Sequence, residues 1–325
     1  MTSTVMVTGV GAIIGYGLLR SLRAARPEVR LVGTDIYSDA VGRAWCDIFE
    51  QAPLTASPNY LHWLREVVAR HQVNLLIPGI EQDVHRLSDD RDKLNPCQCK
   101  FVLNSARLVD LSRDKWAMHQ ELLAMGDSSK IPSYLAGDFE TLVSRLGLPF
   151  ILKPRRSYAS KGLLRIERKE AFEPHAGRLG EYFMAQPIVG TDDEEYTVAV
   201  FGNGQGGVSA SITLQRRLAP DGSTVKAWVK QLMSLDETVC RLCAHFQPVG
   251  PTNLQFRRHD GDWKLLEINP RVSSTTSIRS AFGYNEAIMS LDFFLNGKLP
   301  SQPKIQGGFA VRFIEDYIIH DRDHF

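Results

Sequence analysis

The sequence predicts a mixed fold, in which an α/β lobe is followed by an α+β lobe with a large antiparallel sheet. In the N-terminal part, apolar runs such as VMVTG, RLVGTD and NLLIPG alternate with helical patterns such as LLRSLRAA and YLHWLREVVARH. This alternation is typical of βαβ units around a parallel sheet. From Phe150 onward, short apolar runs separated by Gly, Asp or Asn dominate, which favours antiparallel strands. A chain of 325 residues is long enough for two or three packed lobes.

A change of pattern near Ser112 predicts a boundary between lobes. The segment DKWAMHQELLAMG reads as a helix closed by Gly126, and the turn-like stretch DSSKIPS follows it. Further along, two helices are predicted between Thr275 and Leu295, and the segment GGFAVRFIEDYII is predicted to form a last strand.

The charge balance argues against polymeric anions as partners. Lys and Arg number 38 against 37 Asp and Glu, which leaves a net charge of +1, so no overall field attracts nucleic acid or an anionic membrane. The first residues, MTSTVMVTGVGAIIG, lack the basic start and small-residue cleavage site of a signal peptide. No apolar run reaches the roughly 18 residues of a membrane span. We therefore expect a cytoplasmic protein without nucleic-acid or membrane partners.

The five cysteines are an odd number, and a chain of this size does not need disulfide bonds to stabilise its core, so we expect free thiols. Cys240 and Cys243 form a CxxC near His245, and Cys97 and Cys99 form a CxC, which together could indicate a zinc site. The interpretation that we favour is an amphipathic helix, LDETVCRLCAHF, in which the cysteines pack as small hydrophobic side chains.

A glycine-rich segment near the N-terminus, TGVGAIIGYG, follows a predicted strand and opens a helix, with Asp35 about twenty residues beyond Gly15. It is similar to a dinucleotide-binding fingerprint, so an NAD-dependent oxidoreductase or epimerase is one hypothesis. The spacing of Gly9, Gly11 and Gly15 departs from G-x-G-x-x-G, however, and no Tyr-x-x-x-Lys pair is present. The preferred alternative is a tight strand-to-helix turn that binds substrate or nothing.

The most informative segment is TNLQFRRHDGDWKLLEINPRVSSTT, which predicts a hairpin closed by the DGD turn. Glu267 and Asn269 lie two apart on the second strand and share a face, and antiparallel pairing can bring Gln255 beside them. Mg²⁺ prefers hard oxygen ligands and usually takes one or two carboxylates plus phosphate oxygens. We therefore predict a magnesium site on Gln255, Glu267 and Asn269, with Mn²⁺ as an alternative ion. Arg271 lies on the same side, where it could stabilise a transferring phosphoryl group.

The alternative to a magnesium site is a purely structural one, in which the polar strand end is solvated and stops at Asn-Pro. The surrounding sequence favours the functional interpretation, because the run from NLQF through LLEINPRVSSTTSIRSAFGYNEAIMSLDFFLNGKL resembles the ATP-grasp family pattern of a ligand amide, E-x-N-P-R-x-S and a helix-rich end. The chain is most similar to the synthetase lobes of the carbamoyl phosphate synthetase large subunit and to small carboxylate–amine ligases. Upstream, FILKPRRSYASKGLLRI resembles the family's lysine strand and triphosphate loop, and SRDKWAMHQEL resembles its earlier lysine helix.

The resemblance covers about Asp114 to Leu299 and, more loosely, the N-terminal lobe. It implies an ATP-grasp fold with three parts. These are a Rossmann-like pre-grasp domain over residues 1–110, an N-terminal part with a small lid subdomain and the triphosphate loop over 111–188, and a C-terminal antiparallel-sheet lobe with the magnesium site over 189–325.

The resemblance also implies the residues that bind nucleotide. Lys153 would contact the α- and β-phosphates, since a strand-borne ammonium is a compact charge suited to phosphate, and Lys115 would be a phosphate or adenine-side contact. A solvated surface role is the alternative for either lysine. In the loop SYASKG, backbone N–H groups could close over the terminal phosphates, although it has one glycine where the family usually has several. The loop's candidate residues are Ser157, Ser160, Lys161 and Gly162.

The segment YFMAQPIVGTDDEEYTVAV resembles the family's adenine hinge followed by an acidic ribose contact. By position, the hinge falls on Gln186, Pro187 and Ile188, and the ribose contact on Glu195. Glu194 competes for that role, because this chain is longer than the family pattern before the EY pair.

The implied activity is that of an ATP-dependent ligase with Mg²⁺ and ATP, in which Glu267, Asn269 and Arg271 are the catalytic residues. It would join a small-molecule carboxylate to an amine, or to a thiol, through an acyl phosphate with release of ADP and phosphate. A nicotinamide-dependent oxidoreductase and a non-catalytic ATP-binding module are the alternatives. The resemblance also allows a homodimer. Candidates to hold a substrate carboxylate are Arg216, Arg217, Arg271 and Arg279.

Overall fold

The computed structural model describes residues 3–94, 97–156 and 162–318, which form three sheets. The first sheet is parallel and has the spatial order β3-β2-β1-β4-β5, which confirms the predicted βαβ lobe. Its strands are β1 (Thr4–Thr8), β2 (Arg30–Asp35), β3 (Ile48–Gln51), β4 (Leu75–Ile77) and β5 (Lys100–Phe101). Its helices are α1 (Ile13–Ala25), α2 (Tyr60–Arg70), α3 (Glu81–Asp89) and α4 (Arg91–Leu94).

The central strand β1 is buried throughout because helices cover both faces of this sheet. Val5 and Val7 pack on one side with Leu18 and Leu19 of α1, whereas Met6 packs on the other side with helix α2. This alternation follows from the two-residue period of a strand. Because β1 and β4 are parallel neighbours, their carboxyl ends place the first turns of α1 and α3 at the same edge of the lobe.

A second, smaller unit follows two helices, α5 (Ala106–Arg113) and α6 (Lys115–Ala124). The side chain of Asp114 caps α6 by accepting from the backbone N–H of Trp116. The small sheet is antiparallel with the order β7-β6-β8. Its elements are α7 (Phe139–Leu146), β6 (Phe150–Pro154), β7 (Leu164–Ile166), α8 (Lys169–Ala176) and β8 (Phe183–Pro187).

The sequence suggested that the strands from Phe150 onward form one large antiparallel sheet, but the structure divides them between two sheets. Phe150 and Leu152 of β6 pack against Leu142 of α7 and Phe172 of α8, so this unit has a core of its own. The helices α7 and α8 were not expected from the sequence, and they give the small sheet its separate hydrophobic cover.

The large sheet is antiparallel with the order β13-β12-β9-β10-β11-β14. Helix α9 covers one face of this sheet. Helices α10 and α11 cover the other face, where Phe201 of β9 and Tyr284 are buried. The two predicted helices after Thr275 are confirmed, but the predicted last strand is limited to three residues. The elements are β9 (Glu195–Asn203), β10 (Val208–Leu218), β11 (Thr224–Lys230), α9 (Met233–Phe246), β12 (Val249–His259), β13 (Asp262–Asn269), α10 (Thr276–Ala281), α11 (Glu286–Asn296) and β14 (Phe309–Val311).

The cysteines are free thiols. The segment with Cys240 and Cys243 lies in helix α9, as predicted, but only Cys243 packs inside, since Cys240 is exposed. Burial raises the pKa of the Cys243 thiol to about 12. Over the described ranges, no three His, Cys, Asp or Glu side chains cluster in a way that could hold a metal ion. None of the helices in that part of the chain has both the length and the apolar character needed to cross a membrane.

Candidate functional site

A cavity of about 540 Å³ lies where the small sheet, the large sheet and the edge of the N-terminal lobe meet. Its walls come from β6, β7 and β8 on one side and from β9, β10, β12 and β13 on the other, with the first turns of α1 and α3 at one end. The structure brings together ten residues that the sequence singled out: Lys115, Lys153, Gln186, Pro187, Ile188, Glu195, Arg216, Gln255, Glu267 and Arg271.

The hairpin of β12 and β13 supports the predicted cluster. Gln255 lies directly opposite Glu267 in the strand pairing, which confirms the expected juxtaposition. The turn uses Asp260 and Gly261, both with positive φ, as a tight Asp-Gly hairpin turn requires. Asn269 is not part of the cavity wall, but its Nδ2 donates to Glu267 Oε1 at 2.9 Å, so it orients that carboxylate.

Charges of opposite sign face each other across the cavity. Lys153 is carried by β6, and its Nζ donates to the carbonyl oxygen of Leu266 at 3.3 Å. Burial lowers the pKa of Lys153 to about 8, although the carboxylate of Glu267 opposes that shift. Burial also disfavours ionisation of Glu267, but the charges of Lys153, Lys115 and Arg271, together with the Asn269 hydrogen bond, hold its pKa below the usual value. Glu267 is therefore an ionised carboxylate among cations at neutral pH.

Lys115 is the first residue of α6. Burial lowers its pKa, against the attraction of Glu267 and Glu81. Its backbone N–H donates to the carbonyl oxygen of Arg155 at 3.0 Å, and Asp114 beside it accepts from Arg155 Nη2 at 2.6 Å. The start of α6 is thus fastened to the end of strand β6, which fixes Lys115 relative to Lys153.

Arg271 connects the hairpin with the N-terminal lobe. Its Nη2 donates to Glu81 Oε2 at 2.6 Å and to Asn269 Oδ1 at 3.2 Å. Glu81 is the first residue of α3 and also lines the cavity. Glu81 was not identified from the sequence, although a polar residue just after a parallel strand is a signal for a ligand-binding edge.

The segment predicted as a hinge is the end of strand β8. Gln186 is buried, and its Nε2 donates to Ser133 Oγ at 2.8 Å. Strand β8 ends at Pro187, so the backbone of Ile188 leaves the ladder where it lines the cavity. Next to it the wall is apolar, formed by Ile131, Ile151, Val189, Leu163 and Leu266.

The other predicted residues fall in different places. Ser157, Ser160 and Lys161 lie outside the described residues. Gly162 follows them with a φ of 77°, a left-handed conformation suited to glycine, and it is not part of the cavity wall. Its neighbour Leu163 is part of that wall.

Two of the four arginine candidates for a substrate carboxylate lie away from the cavity. Arg217 is exposed and pairs with Asp193. Arg279 is fully buried beneath the large sheet, where Glu286 neutralises its charge at 3.3 Å. Arg216 and Arg271 line the cavity, so the expectation narrows to these two.

Glu195 sits within a buried ion-pair cluster. Its Oε1 accepts from Arg216 Nη2 at 2.8 Å, and its Oε2 accepts from Arg257 Nε at 3.1 Å and Nη2 at 2.9 Å. Arg216 Nη2 also donates to Gln255 Oε1 at 2.5 Å. Arg257 was not identified from the sequence, because its place beside Glu195 depends on the pairing of distant strands.

The glycine loop is a tight turn held by its own neighbours. Gly11 N–H donates to Asp35 Oδ2 at 2.7 Å, and Tyr37 N–H donates to Asp35 Oδ1 at 3.1 Å. Both oxygens of Asp35 are therefore engaged by backbone, which favours the tight-turn interpretation over a dinucleotide ribose contact. The residues after the turn, Ala12 to Ile14, line the cavity.

The donor set on the hairpin fits a magnesium ion that takes further ligands from phosphate. Glu267 supplies an ionised carboxylate, and Gln255 and Asn269 supply amide groups within reach of it. One carboxylate with amides is too weak a set for a free-standing site, but Mg²⁺ in such proteins usually shares its shell with phosphates and water. The cations around the cavity suit the same polyanionic ligand.

A parallel-sheet lobe, a small antiparallel sheet and a large antiparallel sheet that enclose a lysine-lined cavity define the ATP-grasp architecture. The chain therefore has an ATP-grasp fold. A family model described as "ATP-grasp in the biosynthetic pathway with Ter operon" matches residues 184–317.

Two curated relatives match in sequence. A D-alanine–D-alanine ligase from Ralstonia nicotianae is 31% identical over 128 residues, which cover 38% of this chain and 36% of that protein. A carbamoyl phosphate synthase large chain from Methanosarcina mazei is 24% identical over 218 residues, which cover 59% of this chain and 20% of that protein. The chain thus spans about a third and a fifth of the length of these two relatives.

Solved structures share the fold over most of the chain. An N5-carboxyaminoimidazole synthetase from Staphylococcus aureus has a TM-score of 0.73 at 16% identity, with 93% of this chain and 80% of that chain covered. A biotin carboxylase from Campylobacter jejuni, solved as a β,γ-ATP complex, has a TM-score of 0.74 at 16% identity, with 95% and 74% covered.

Proposed function

We propose that this protein is an ATP-dependent ligase that joins a small-molecule carboxylate to an amine, or to a thiol, through an acyl phosphate. The observation that carries the proposal is the arrangement of Lys115, Lys153 and Arg271 around the ionised carboxylate of Glu267, at the end of a cavity that also has an apolar wall. A polyanion with a flat apolar group, such as ATP, fits both ends.

The adenine would lie against the apolar wall and bond to the backbone of the hinge, Gln186 to Ile188. Its phosphates would then point toward Lys153 and Lys115, whose charges they would neutralise. In this proposal Ser157, Ser160, Lys161 and Gly162 would contact the terminal phosphates, and the first three of them lie outside the described residues.

Glu267, Asn269 and Gln255 would hold Mg²⁺, or Mn²⁺ in its place, and the ion would supply positive charge next to the phosphates. Arg271 has a different task, since its guanidinium can donate to an oxygen that gains charge during phosphoryl transfer. Its contacts with Asn269 and Glu81 fix that guanidinium before substrate arrives.

The reaction would proceed in two displacements. A substrate carboxylate oxygen attacks the γ-phosphorus, the bond from that phosphorus to the β,γ-bridging oxygen breaks, and ADP leaves with the electron pair. The amine nitrogen then attacks the acyl carbon, the bond to the phosphate oxygen breaks, and phosphate leaves while the nitrogen loses a proton. Of the arginines predicted to hold the acid, Arg216 and Arg271 line the cavity, as do Arg165 and Arg257. Arg216 already pairs with Glu195.

The proposal is tested by a screen of acid and amine pairs for ADP release in the presence of Mg²⁺. We expect ADP release that requires one acid and one amine together and that falls about a hundredfold or more in Glu267→Gln, whose circular dichroism should match the parent. Glu237→Gln, an exposed change on α9, is the matched control and should keep full activity. Undiminished ADP release by Glu267→Gln would contradict the assignment of this site.

A further inference from the structure

Strand β14 lies at the edge of the large sheet, and one side of its backbone is open. On the inner side it pairs with β11, where Arg312 N–H donates to the carbonyl oxygen of Val225 at 2.9 Å. Backbone groups alternate in direction along a strand, so those of Phe309 and Val311 point away from β11. Among the residues that the structure describes, no other backbone group bonds with them. Such an edge is a template for pairing with another strand.

The side chains along this edge are apolar and exposed. Phe309 and Val311 are 65% and 52% exposed, whereas Ala310 between them packs against the core that α10 and α11 cover. The two exposed side chains therefore project from the opposite face of the sheet. Beyond the strand, Phe313 is 79% exposed and Ile314 is 95% exposed. We call the exposed apolar residues of this segment the edge patch; they are Phe309, Val311, Phe313, Ile314, Tyr317 and Ile318.

The size of the edge patch suits an interface between copies of this chain. Its six side chains expose on the order of 700 Å², since one aromatic side chain alone covers about 150–250 Å². The largest apolar patch on a typical monomer is about 300–600 Å². Two edge patches that face each other would offer on the order of 1,400 Å², which exceeds the roughly 1,000 Å² that a specific interface needs.

The sequence of the edge is complementary to itself when two copies pair antiparallel about a two-fold axis. With Val311 at the axis, the valines of the two copies lie opposite each other, and Phe309 lies opposite the second copy's Phe313. Aromatic and β-branched side chains in such cross-strand pairs stabilise a sheet. On the other face of the sheet, Arg312 lies opposite the small side chain of the second copy's Ala310. No like charges meet between these residues.

We propose that β14 is a docking edge for a second copy of this chain, with Val311 at the two-fold axis. The two six-stranded sheets would then join into one continuous sheet through their β14 strands. A second copy suits this edge because the edge patch has no charged side chain to select a charged partner, and because each copy supplies the strand that the other lacks. The dimer does not depend on the proposed activity, so its test needs no nucleotide.

The test measures sedimentation of the full chain at concentrations up to about 100 μM, together with hydrogen exchange of the backbone amides of 309–313. We expect the parent to form dimers in which these amides are protected. Val311→Lys places two like charges at the axis, so it should raise the dimer Kd about tenfold or more and remove the protection. Tyr37→Lys changes an exposed apolar side chain of the N-terminal lobe. It is the matched control and should keep the parent's Kd.

Val311→Pro is a second variant that acts on the backbone alone. It removes an N–H that points away from β11, so the pairing within the chain survives while the pairing between copies loses hydrogen bonds. Its dimer should also be weaker than that of the parent, with an unchanged circular dichroism spectrum. A parent that stays monomeric overturns the proposal, and protected amides in that monomer would mean that another segment of the same chain covers the edge. Dimers that Val311→Lys and Tyr37→Lys form equally well would place the interface elsewhere and overturn it too.

Discussion

Arg271 on the site hairpin and Glu81 at the start of α3 form an ion pair, with Nη2 and Oε2 2.6 Å apart. The two residues are 190 positions apart in sequence and belong to different lobes. Arg271 also donates to Asn269, which donates to Glu267. The contact therefore joins the edge of the N-terminal lobe to the proposed metal site through a continuous chain of side-chain hydrogen bonds.

Glu81→Gln should lower the rate of ADP formation about tenfold, because the guanidinium of Arg271 loses the charge that orients it toward the reacting phosphate. The change should act mainly on kcat and leave the free energy of unfolding within about 1 kcal/mol, since both side chains are partly exposed. Steady-state kinetics and chemical denaturation measure the two quantities. Glu140→Gln, which breaks an exposed pair with Lys169 far from the cavity, should change neither. Unaltered kcat in Glu81→Gln would show that the pair serves only to join the lobes.

The affinity of the site for ATP should depend on pH, because the charge of Lys153 in the ligand-free protein depends on pH. Its pKa of about 8 lies below the value of an exposed lysine, so its charge is present below pH 8 and is lost as the pH rises through that value. Affinity for ATP should therefore fall between pH 7 and pH 9.5, when followed by titration at constant Mg²⁺. In the variant Lys153→Arg the cation does not titrate in this range, so its affinity should be nearly independent of pH.

The ammonium group of Lys153 affects the free energy of unfolding in the opposite direction, since this free energy should rise with pH where the affinity for ATP falls. Between pH 8 and about 10.4, the unfolded chain binds a proton on Lys153 that the folded chain has released, so this group adds stability as the pH rises. Denaturation of the ligand-free parent and of Lys153→Met across this window should show a smaller gain for the variant. If affinity and stability both proved independent of pH in the parent, burial would not depress this pKa.

The sequence predicted those parts of the site that depend on local periodicity. Glu267, Asn269 and Gln255 converge because a strand alternates its faces and a hairpin has one register, and both follow from neighbouring residues. Arg257 and Glu81 could not be found in this way. Arg257 meets Glu195 through the pairing of β12 with β9, and Glu81 meets Arg271 through the packing of lobes.

The fold shows the same division between local and distant determinants. The sequence predicted the positions of the strands and helices that have clear hydrophobic patterns. It did not predict that β6, β7 and β8 form a separate sheet, because that depends on which apolar faces pack together. Phe150, Leu152 and Phe172 form a core among themselves, and nothing in the strand pattern distinguishes that core from the face of the large sheet.

Glu195→Ala should destabilise the protein by about 3–5 kcal/mol, because it leaves the buried guanidinium of Arg216 without a charge partner. The expected decrease appears as a lower midpoint in urea denaturation. Asp193→Ala removes an exposed partner of Arg217 and should cost less than about 1 kcal/mol. Equal, small effects of the two changes would mean that the Glu195 pairs contribute no more than surface pairs.

Gly15→Ala tests the role of the glycine loop. A Cβ at Gly15 would lie 2.2 Å from the carbonyl oxygen of Gly9, a backbone atom that cannot move without opening the turn. We expect a loss of about 2 kcal/mol or more in the free energy of unfolding. Gly177→Ala, where a Cβ meets nothing within 4 Å, should be neutral or slightly stabilising. Because α1 lines the cavity directly after this turn, the variant should also bind ATP more weakly. A fully stable Gly15→Ala with unchanged affinity would show that the close approach of these backbones is not required.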